Sequence, residues 1–237
     1  GVGMDGNVER RWMKHLAVLL WLATAAVVLW SVGLLVVRPW YLRRMAITEL
    51  KRLGTVEITK DSVSFEPSNE VRRDLTSIEH LAILLERIEC SHLKLGGCEN
   101  LQDVQSLRRL QSLRDLSLSQ TGVSDLTPLA GLSGLTDLYL DDTKVSDLTP
   151  LQSLRGLTTL DLHSTRVSDL TPFQGLSGLK RLFLFETLVS DLTPLQGLSG
   201  LTTLHVADTR VSDLTPLQGL SGLHTIYVGK GQAIDVP

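Results

Sequence analysis

The sequence lacks most features that mark catalytic or nucleic-acid-binding proteins. Only two of its 237 residues are cysteine and 5% are aromatic. Two cysteines do not make a disulfide framework. The formal net charge is −3, and without a basic excess nothing points to a nucleic-acid partner. A phosphate-binding loop, a nucleophile elbow and paired His/Cys metal motifs are also missing from the sequence, so we expect neither enzymatic activity nor a cofactor.

One long stretch carries no charge. Residues 16–37 read LAVLLWLATAAVVLWSVGLLVV, a run of 22 residues. A helix of that length spans about 33 Å, enough to cross a hydrocarbon core of about 30 Å. Trp12, Trp40 and Tyr41 flank the run, as aromatic residues do at membrane interfaces. The run continues beyond ATAA at 23–26, which argues against a cleaved signal peptide. The sequence therefore predicts a single-pass membrane protein whose residues 16–37 cross the lipid bilayer.

The residues around this stretch are basic. Residues 1–15 form a basic flank with three Lys or Arg residues, and residues 38–52 contain five. The positive-inside rule favours a cytoplasmic C-terminal part only weakly, so the side of the membrane stays open. Residues 38–54 are predicted to form an amphipathic juxtamembrane helix that Gly54 stops.

A 22-residue unit repeats through most of the remaining chain. It reads L-x-x-L-x-L-x-x-T-x-V-S-D-L-T-P-L-x-x-L-x-x, and thirteen residues, VSDLTPLQGLSGL, occur identically at 189–201 and 211–223. Its fourth position is held by Leu116, Leu138, Leu160, Leu182, Leu204 and Ile226. A period of about 20–29 residues with L-x-x-L-x-L is typical of leucine-rich repeats.

Each repeat is predicted to combine a strand with a tight turn. The L-x-L alternation has the two-residue period of a strand with its leucines inward. Leu126 and Leu129 follow at three-residue spacing, which suits a 3₁₀ helix. Thr127-Pro128 reads as its start, because Thr can cap a helix and Pro suits the first position. Stacked repeats should give seven parallel strands, beginning near Leu93–Leu95.

The unit resembles the 22-residue repeat of bacterial internalin-like proteins, over residues 90–231. The resemblance implies an α/β leucine-rich repeat solenoid with a concave parallel sheet and convex short 3₁₀ turns. The layout also resembles bacterial proteins in which a single N-terminal transmembrane helix precedes such repeats. Internalin-like repeats usually carry Asn at the ninth position, where this sequence has Thr. We expect threonine hydroxyls to form a weaker ladder in its place. These threonines are Thr121, Thr143, Thr165, Thr187 and Thr209.

The segments beside the repeats are predicted to cover the solenoid ends. Residues 55–65 alternate enough for a hairpin, residues 69–88 read as a helix, and together 55–89 could cap the N-terminal end. Residues 232–237 read as a tail. Cys90 and Cys98 take repeat positions that are buried, with a strand between them that holds them too far apart for a disulfide.

The repeated aspartates and the varying positions have different roles. Asp125 and its copies are expected to bond nearby backbone groups in the turns rather than bind a cation. The outward strand positions vary instead, which favours a protein-binding surface on the concave face. The candidate binding residues are Tyr139, Asp161, His163, Phe183, Phe185, His205 and Tyr227.

Other interpretations of the varying face stay open. Relaxed drift on a solvated face would also give such variation, with aromatic residues tolerated as strand formers. A small ligand or a glycan could bind the same face, although small molecules favour enclosed pockets. Asp141, Asp161 and His163 almost converge, but without a clear fourth ligand we expect no metal there.

Overall fold

The structure is a computed structural model that describes residues 38–59, 62–229 and 232–235. The chain divides into two compact units, Gly1–Met45 and Ala46–Pro237. The predicted basic flank (1–15) and membrane anchor (16–37) lie outside the described residues. Within the described ranges, no helix is long and apolar enough to span a bilayer.

The first described element is helix α1, Arg38–Leu53. It ends where Gly54 begins strand β1 (Gly54–Ile58), which pairs with β2 (Val63–Pro67) as an antiparallel hairpin. Ala46 and Leu50 of α1 are buried in the core of the second unit. The hairpin predicted over residues 55–65 is therefore present.

Two short helices follow where the sequence predicted one over 69–88. They are α2, Asn69–Asp74, and α3, Glu79–Arg87. Leu75 ends α2 in an extended conformation, and the carbonyl of Thr76 accepts from the backbone N–H groups of Gln102 and Asp103. The single-helix prediction was wrong because the backbone between the two helices pairs with the first repeat instead of continuing the helix.

In the described part of the chain, ten strands form one sheet in chain order. After the hairpin come β3 (His92–Lys94), β4 (Asp115–Ser117), β5 (Asp137–Tyr139), β6 (Thr159–Asp161), β7 (Arg181–Phe183), β8 (Thr203–His205), β9 (Thr225–Gly229) and β10 (Gln232–Asp235). The seven predicted strands, β3 to β9, are parallel to one another. Two features were not foreseen: β2 pairs in parallel with β3, and β10, in the expected tail, pairs antiparallel with β9.

The register of the parallel strands follows the repeat. Leu116 pairs with Leu138, Leu138 with Leu160, and so on to Ile226. These leucines are fully buried, as is Leu118. Because equivalent side chains stack between neighbouring repeats, the core is one continuous leucine cluster that runs from the helices of the N-terminal cap to Ile226. The leucine-rich repeat, solenoid-like fold with a parallel sheet is thus confirmed.

Short 3₁₀ helices form the turn side of the repeats, as predicted. They span Gln105–Arg109, Thr127–Leu129, Thr149–Ser153, Thr171–Phe173, Thr193–Leu195 and Thr215–Leu217. The predicted cap at Thr127 is wrong, however, because Leu126 holds the N-cap position and Thr127 is the first helical residue. Thr127 makes no cap, and Asp125 Oδ1 accepts from its backbone N–H at 2.8 Å. Asp147, Asp169, Asp191 and Asp213 make the same bond. The structural role expected for these aspartates is confirmed.

The repeat threonines do not form a ladder between repeats, which corrects the expectation. The hydroxyl of Thr121 donates to the carbonyl of Leu118 in its own repeat at 2.7 Å, and Thr143 bonds Leu140 at 2.6 Å. Thr165, Thr187 and Thr209 repeat this bond. The residue before each threonine has a positive φ of 53–56°, at Gln120, Asp142, Ser164, Glu186 and Asp208. The hydroxyl therefore closes a left-handed turn that follows each strand.

Replacing Thr143 with Val tests this bond. The change keeps the shape of the side chain but leaves the buried carbonyl of Leu140 without its donor, so the free energy of unfolding should fall by about 1–3 kcal/mol. Denaturant unfolding measures the change. Thr143→Ser, which keeps the hydroxyl, should lose less, and equal losses for the Val and Ser variants would contradict the assigned role.

Candidate functional site

Alternate residues of the parallel strands point away from the core and form what we call the outer face of the sheet. On β7 and just after it, Leu184 is fully buried, while Phe183 and Phe185 lie on the opposite side. Both phenylalanines are half-buried. Two other outward positions are buried: Ala207 and Thr159, which receives a 2.7 Å hydrogen bond from Arg181.

Four rings from neighbouring repeats form a continuous line, here called the aromatic row. The ring centres of His163 and Phe185 are 6.1 Å apart, those of Phe185 and His205 5.4 Å, and those of His205 and Tyr227 4.9 Å. Phe185 and His205 are nearly parallel, with 12° between their planes. The half-burial of the rings follows from this contact, because neighbouring strands lie only about 4.8 Å apart. Phe183 lies beside the row, in register between Asp161 and His205.

Carboxylates occupy the neighbouring part of the outer face, which we call the acidic zone. It consists of Asp115, Asp137, Asp141, Asp142 and Asp161. Burial is the main cause that raises the pKa of Asp115, and the charge of Asp137 adds to it. Arg181 Nη2 lies 3.6 Å from Asp137 Oδ1. Tyr139 stands in register between Ser117 and Asp161, and its pKa is raised by burial and by the nearby carboxylates.

His163 joins the acidic zone to the aromatic row. Its Nδ1 lies 2.9 Å from Asp161 Oδ1, and its Nε2 lies 3.9 Å from Asp141 Oδ2. Burial lowers the pKa of His163, but the hydrogen bond to Asp161 and the charges of Asp161, Asp141 and Asp142 outweigh it, so the pKa is raised overall. The pKa of His205 is lowered, chiefly by burial. Two histidines of one face therefore titrate in opposite directions from their ordinary value.

The same cluster has the composition of a weak metal site. Single ligand atoms of Asp141, Asp161 and His163 all lie within 4.8 Å of one another. The hydrogen bond between His163 and Asp161 and the one from Ser119 to Asp141 already engage these groups. The three residues supply three ligand atoms, and hydrogen bonding is sufficient to explain their positions.

One exposed side chain was overlooked in the sequence. Leu188, in the turn after β7, is 41% exposed. The equivalent residues in neighbouring repeats are Lys144, Arg166 and Arg210, so an apolar residue here departs from the pattern. Leu188 belongs to the same repeat as Phe183 and Phe185, and aligning the repeats at this position would have found it.

Comparisons with known proteins agree with the repeat fold. No protein-family model and no curated protein matches the sequence. Among solved structures, an internalin from Listeria monocytogenes is 26% identical with a TM-score of 0.60, covering 80% of this chain and 56% of its own. Internalin C2 from the same bacterium is 28% identical with a TM-score of 0.54, covering 70% of this chain and 80% of its own.

A third structure shares the fold alone. It is a leucine-rich repeat protein from Leptospira interrogans, 20% identical with a TM-score of 0.53, which covers 62% of this chain and 40% of its own. This chain thus spans about half the length of the first internalin and less than half of the Leptospira protein. The resemblance to internalins and other leucine-rich repeat proteins is confirmed at the level of the fold.

The opposite pKa shifts of the two histidines can be measured by NMR titration. His163 should titrate above its ordinary pKa of 6.5 and His205 below it. Because the folded pKa of His163 is raised, its contribution to stability is fully present below pH 6.5 and is lost as the pH rises through the folded value. Asp161→Asn should lower the pKa of His163, whereas Asp169→Asn on the turn side should not. Equal titration curves in the two variants would contradict the assigned contact.

Proposed function

We propose that this chain is a membrane-anchored leucine-rich repeat protein that recognises a protein partner through the outer face of its sheet. The fold supports an interaction scaffold in general terms, because its internalin neighbours share it. The proposed contact residues are Tyr139, Asp161, His163, Phe183, Phe185, His205 and Tyr227. The proposal places the chain outside the enzymes and gives it no cofactor and no nucleic-acid partner.

One observation carries this proposal. The positions that build the core and the turns are nearly constant between repeats, and the outward strand positions are not. Those variable positions form one face, on which the aromatic row runs across four repeats. Aromatic side chains with accessible surface bring large contact areas at low entropic cost, and they dominate the energetics of many protein interfaces.

A small ligand or glycan on the same face is the alternative. Small molecules bind in concave, mostly enclosed sites. Two depressions of about 280 and 530 Å³ lie on the turn side instead, between Gln, Thr, Pro and Gly residues that recur in successive repeats. Because the same residues recur in successive repeats, these depressions result from the stacking of the turns. The broad outer face therefore favours a macromolecular partner.

The membrane anchor is proposed from the uncharged run at 16–37. Helix α1 begins directly after it, at Arg38. Tyr41 and Met45 of α1 are exposed, one turn apart, and Arg43 and Arg44 beside them are exposed as well. Such a mixture of apolar and basic side chains suits a helix that leaves a bilayer at its headgroup level.

Removing two rings of the outer face tests partner binding. Phe183→Ala combined with Phe185→Ala should weaken capture of the native partner by at least about 2 kcal/mol, because buried aromatic contacts dominate interfaces. Capture is measured by cross-linking of the full chain in native lysate. Ile83→Ala removes an exposed apolar side chain of α3 and serves as the control. Glycan-array binding that survives without protein capture would favour the alternative, and unchanged capture in the double variant would contradict the outer-face assignment.

Extraction tests the anchor. The full chain should stay in the membrane fraction after alkaline carbonate treatment, because about twenty apolar residues suffice to span the hydrocarbon core. A chain that lacks residues 1–37 should be released into the soluble fraction. Retention of the shortened chain would assign membrane binding to α1 rather than to residues 16–37.

A further inference from the structure

The repeat that contains β7 differs from its neighbours at three positions that do not face the core. Phe183 and Phe185 lie on the outer face, and Leu188 follows in the turn with 41% of its surface exposed. None of the three contributes to the leucine core as its fully buried neighbour Leu184 does. Phe183 and Phe185 together define an apolar centre on the outer face.

The acidic zone lies immediately beside this centre. Asp161 on β6 is in register with Phe183 on β7, and Asp137 is on the next strand, β5. The cationic or titratable side chains that act on the five carboxylates are Arg181, His163, His92, His205 and Lys94. Lys94 also lies 3.8 Å from Glu66. Burial lowers the pKa of His205, so at neutral pH it adds no charge. Five carboxylates then face at most four cations, and the zone keeps a negative charge.

From this arrangement we propose that the outer face accepts a partner segment with an apolar or aromatic anchor side chain and an arginine close to it. The proposal rests on the proposed function and specifies the chemistry of the partner. The anchor would contact Phe183 and Phe185. The arginine would lie over Asp161 and Asp137, where it supplies the charge that the zone lacks.

The rings around Asp161 favour arginine over lysine. Tyr139 and Phe183 stand on its two sides in register, one strand away each. A guanidinium is planar, can bond a carboxylate through two N–H groups and stacks on aromatic rings, whereas an ammonium group is a compact, strongly hydrated charge. A carboxylate that lies between two aromatic rings therefore suits a guanidinium better than an ammonium group.

The strand spacing sets the distance between the two partner residues. Strands β5 and β7 are two spacings of about 4.8 Å apart, and Asp137 is level with Arg181, two residues before Phe183. Asp137 and Phe183 are therefore separated by about 12 Å. An extended chain advances about 3.3 Å per residue. An extended segment that crosses the strands should therefore carry its arginine two to four residues from its anchor.

A random library of 12-residue peptides, displayed on phage and selected on the full chain in mild detergent, tests this chemistry. The recovered peptides should be enriched in arginine two to four positions from an aromatic or large aliphatic residue. A synthetic copy of the most enriched peptide should bind at least about tenfold more weakly to Asp137→Asn/Asp161→Asn and to Phe183→Ala/Phe185→Ala than to the wild type.

A matched variant controls for loss of charge. Asp169→Asn/Asp191→Asn removes the same two charges from the turn side, and Asn can still accept the bond that caps each turn. This variant should bind the peptide as the wild type does. Thermal unfolding of all variants verifies that each is folded.

The outcomes separate this inference from the proposed function. The arginine assignment would be overturned by either of two results. The peptides that bind Phe183→Ala/Phe185→Ala more weakly than the wild type would carry no arginine, or they would bind Asp137→Asn/Asp161→Asn as tightly as the wild type. Both results would leave the outer face as a binding surface. Peptides whose affinity is the same in every outer-face variant, or a selection without enrichment, would overturn both.

Discussion

The structure depends on the fact that no repeat can bury its own leucines. Each inward row is covered only when the next repeat stacks on it, as the zero exposure of Leu116, Leu138 and Leu160 shows. The backbone follows the same rule, because Leu118 donates to Tyr139 and Leu140 donates to Asp161 in the following repeat. Stability is therefore a sum of contacts between neighbours, and each end of the array needs a different covering element. The β1–β2 hairpin with α2 and α3 covers one end, and β10 pairs with the last parallel strand at the other.

The side chains that stabilise the fold do not lie on the outer face of the sheet. Leucines serve the core, aspartates cap the turns through backbone N–H groups, and threonines close the left-handed turn in their own repeat. None of these bonds uses the side chain in the middle of L-x-L or the one that follows it on the same side. A substitution there changes the surface with little effect on the stacking of repeats. The repeat is therefore constant where its side chains build the core and the turns, and variable where they point outward from the sheet.

The sequence predicts those features that a period determines. Strand positions, inward leucines and 3₁₀ turns follow from residue spacing alone, and all three agree with the structure. Features that depend on a choice among local partners do not follow. Thr143 could bond a neighbouring repeat or its own, and only the left-handed conformation of Asp142 brings the carbonyl of Leu140 to its hydroxyl. The break between α2 and α3 depends on the backbone between these helices pairing with Asp103, and no local propensity encodes that pairing. The proposed contact residues were chosen by their outward position, but the row from His163 to Tyr227 depends on ring orientations that spacing leaves open.

The outer face differs in character between its N-terminal and C-terminal strands. Acidic side chains dominate on β4 to β6, and aromatic side chains dominate from β7 to β9, with His163 in contact with both. A face made of identical repeats would accept a partner equally well at several registers, one strand apart. A charged half and an aromatic half remove that degeneracy, because a shift by two strands would place an apolar anchor over carboxylates and leave it without its contact. In the proposed interface, specificity therefore depends less on any single residue than on the boundary between Asp161 and Phe183, which occurs once among the described strands.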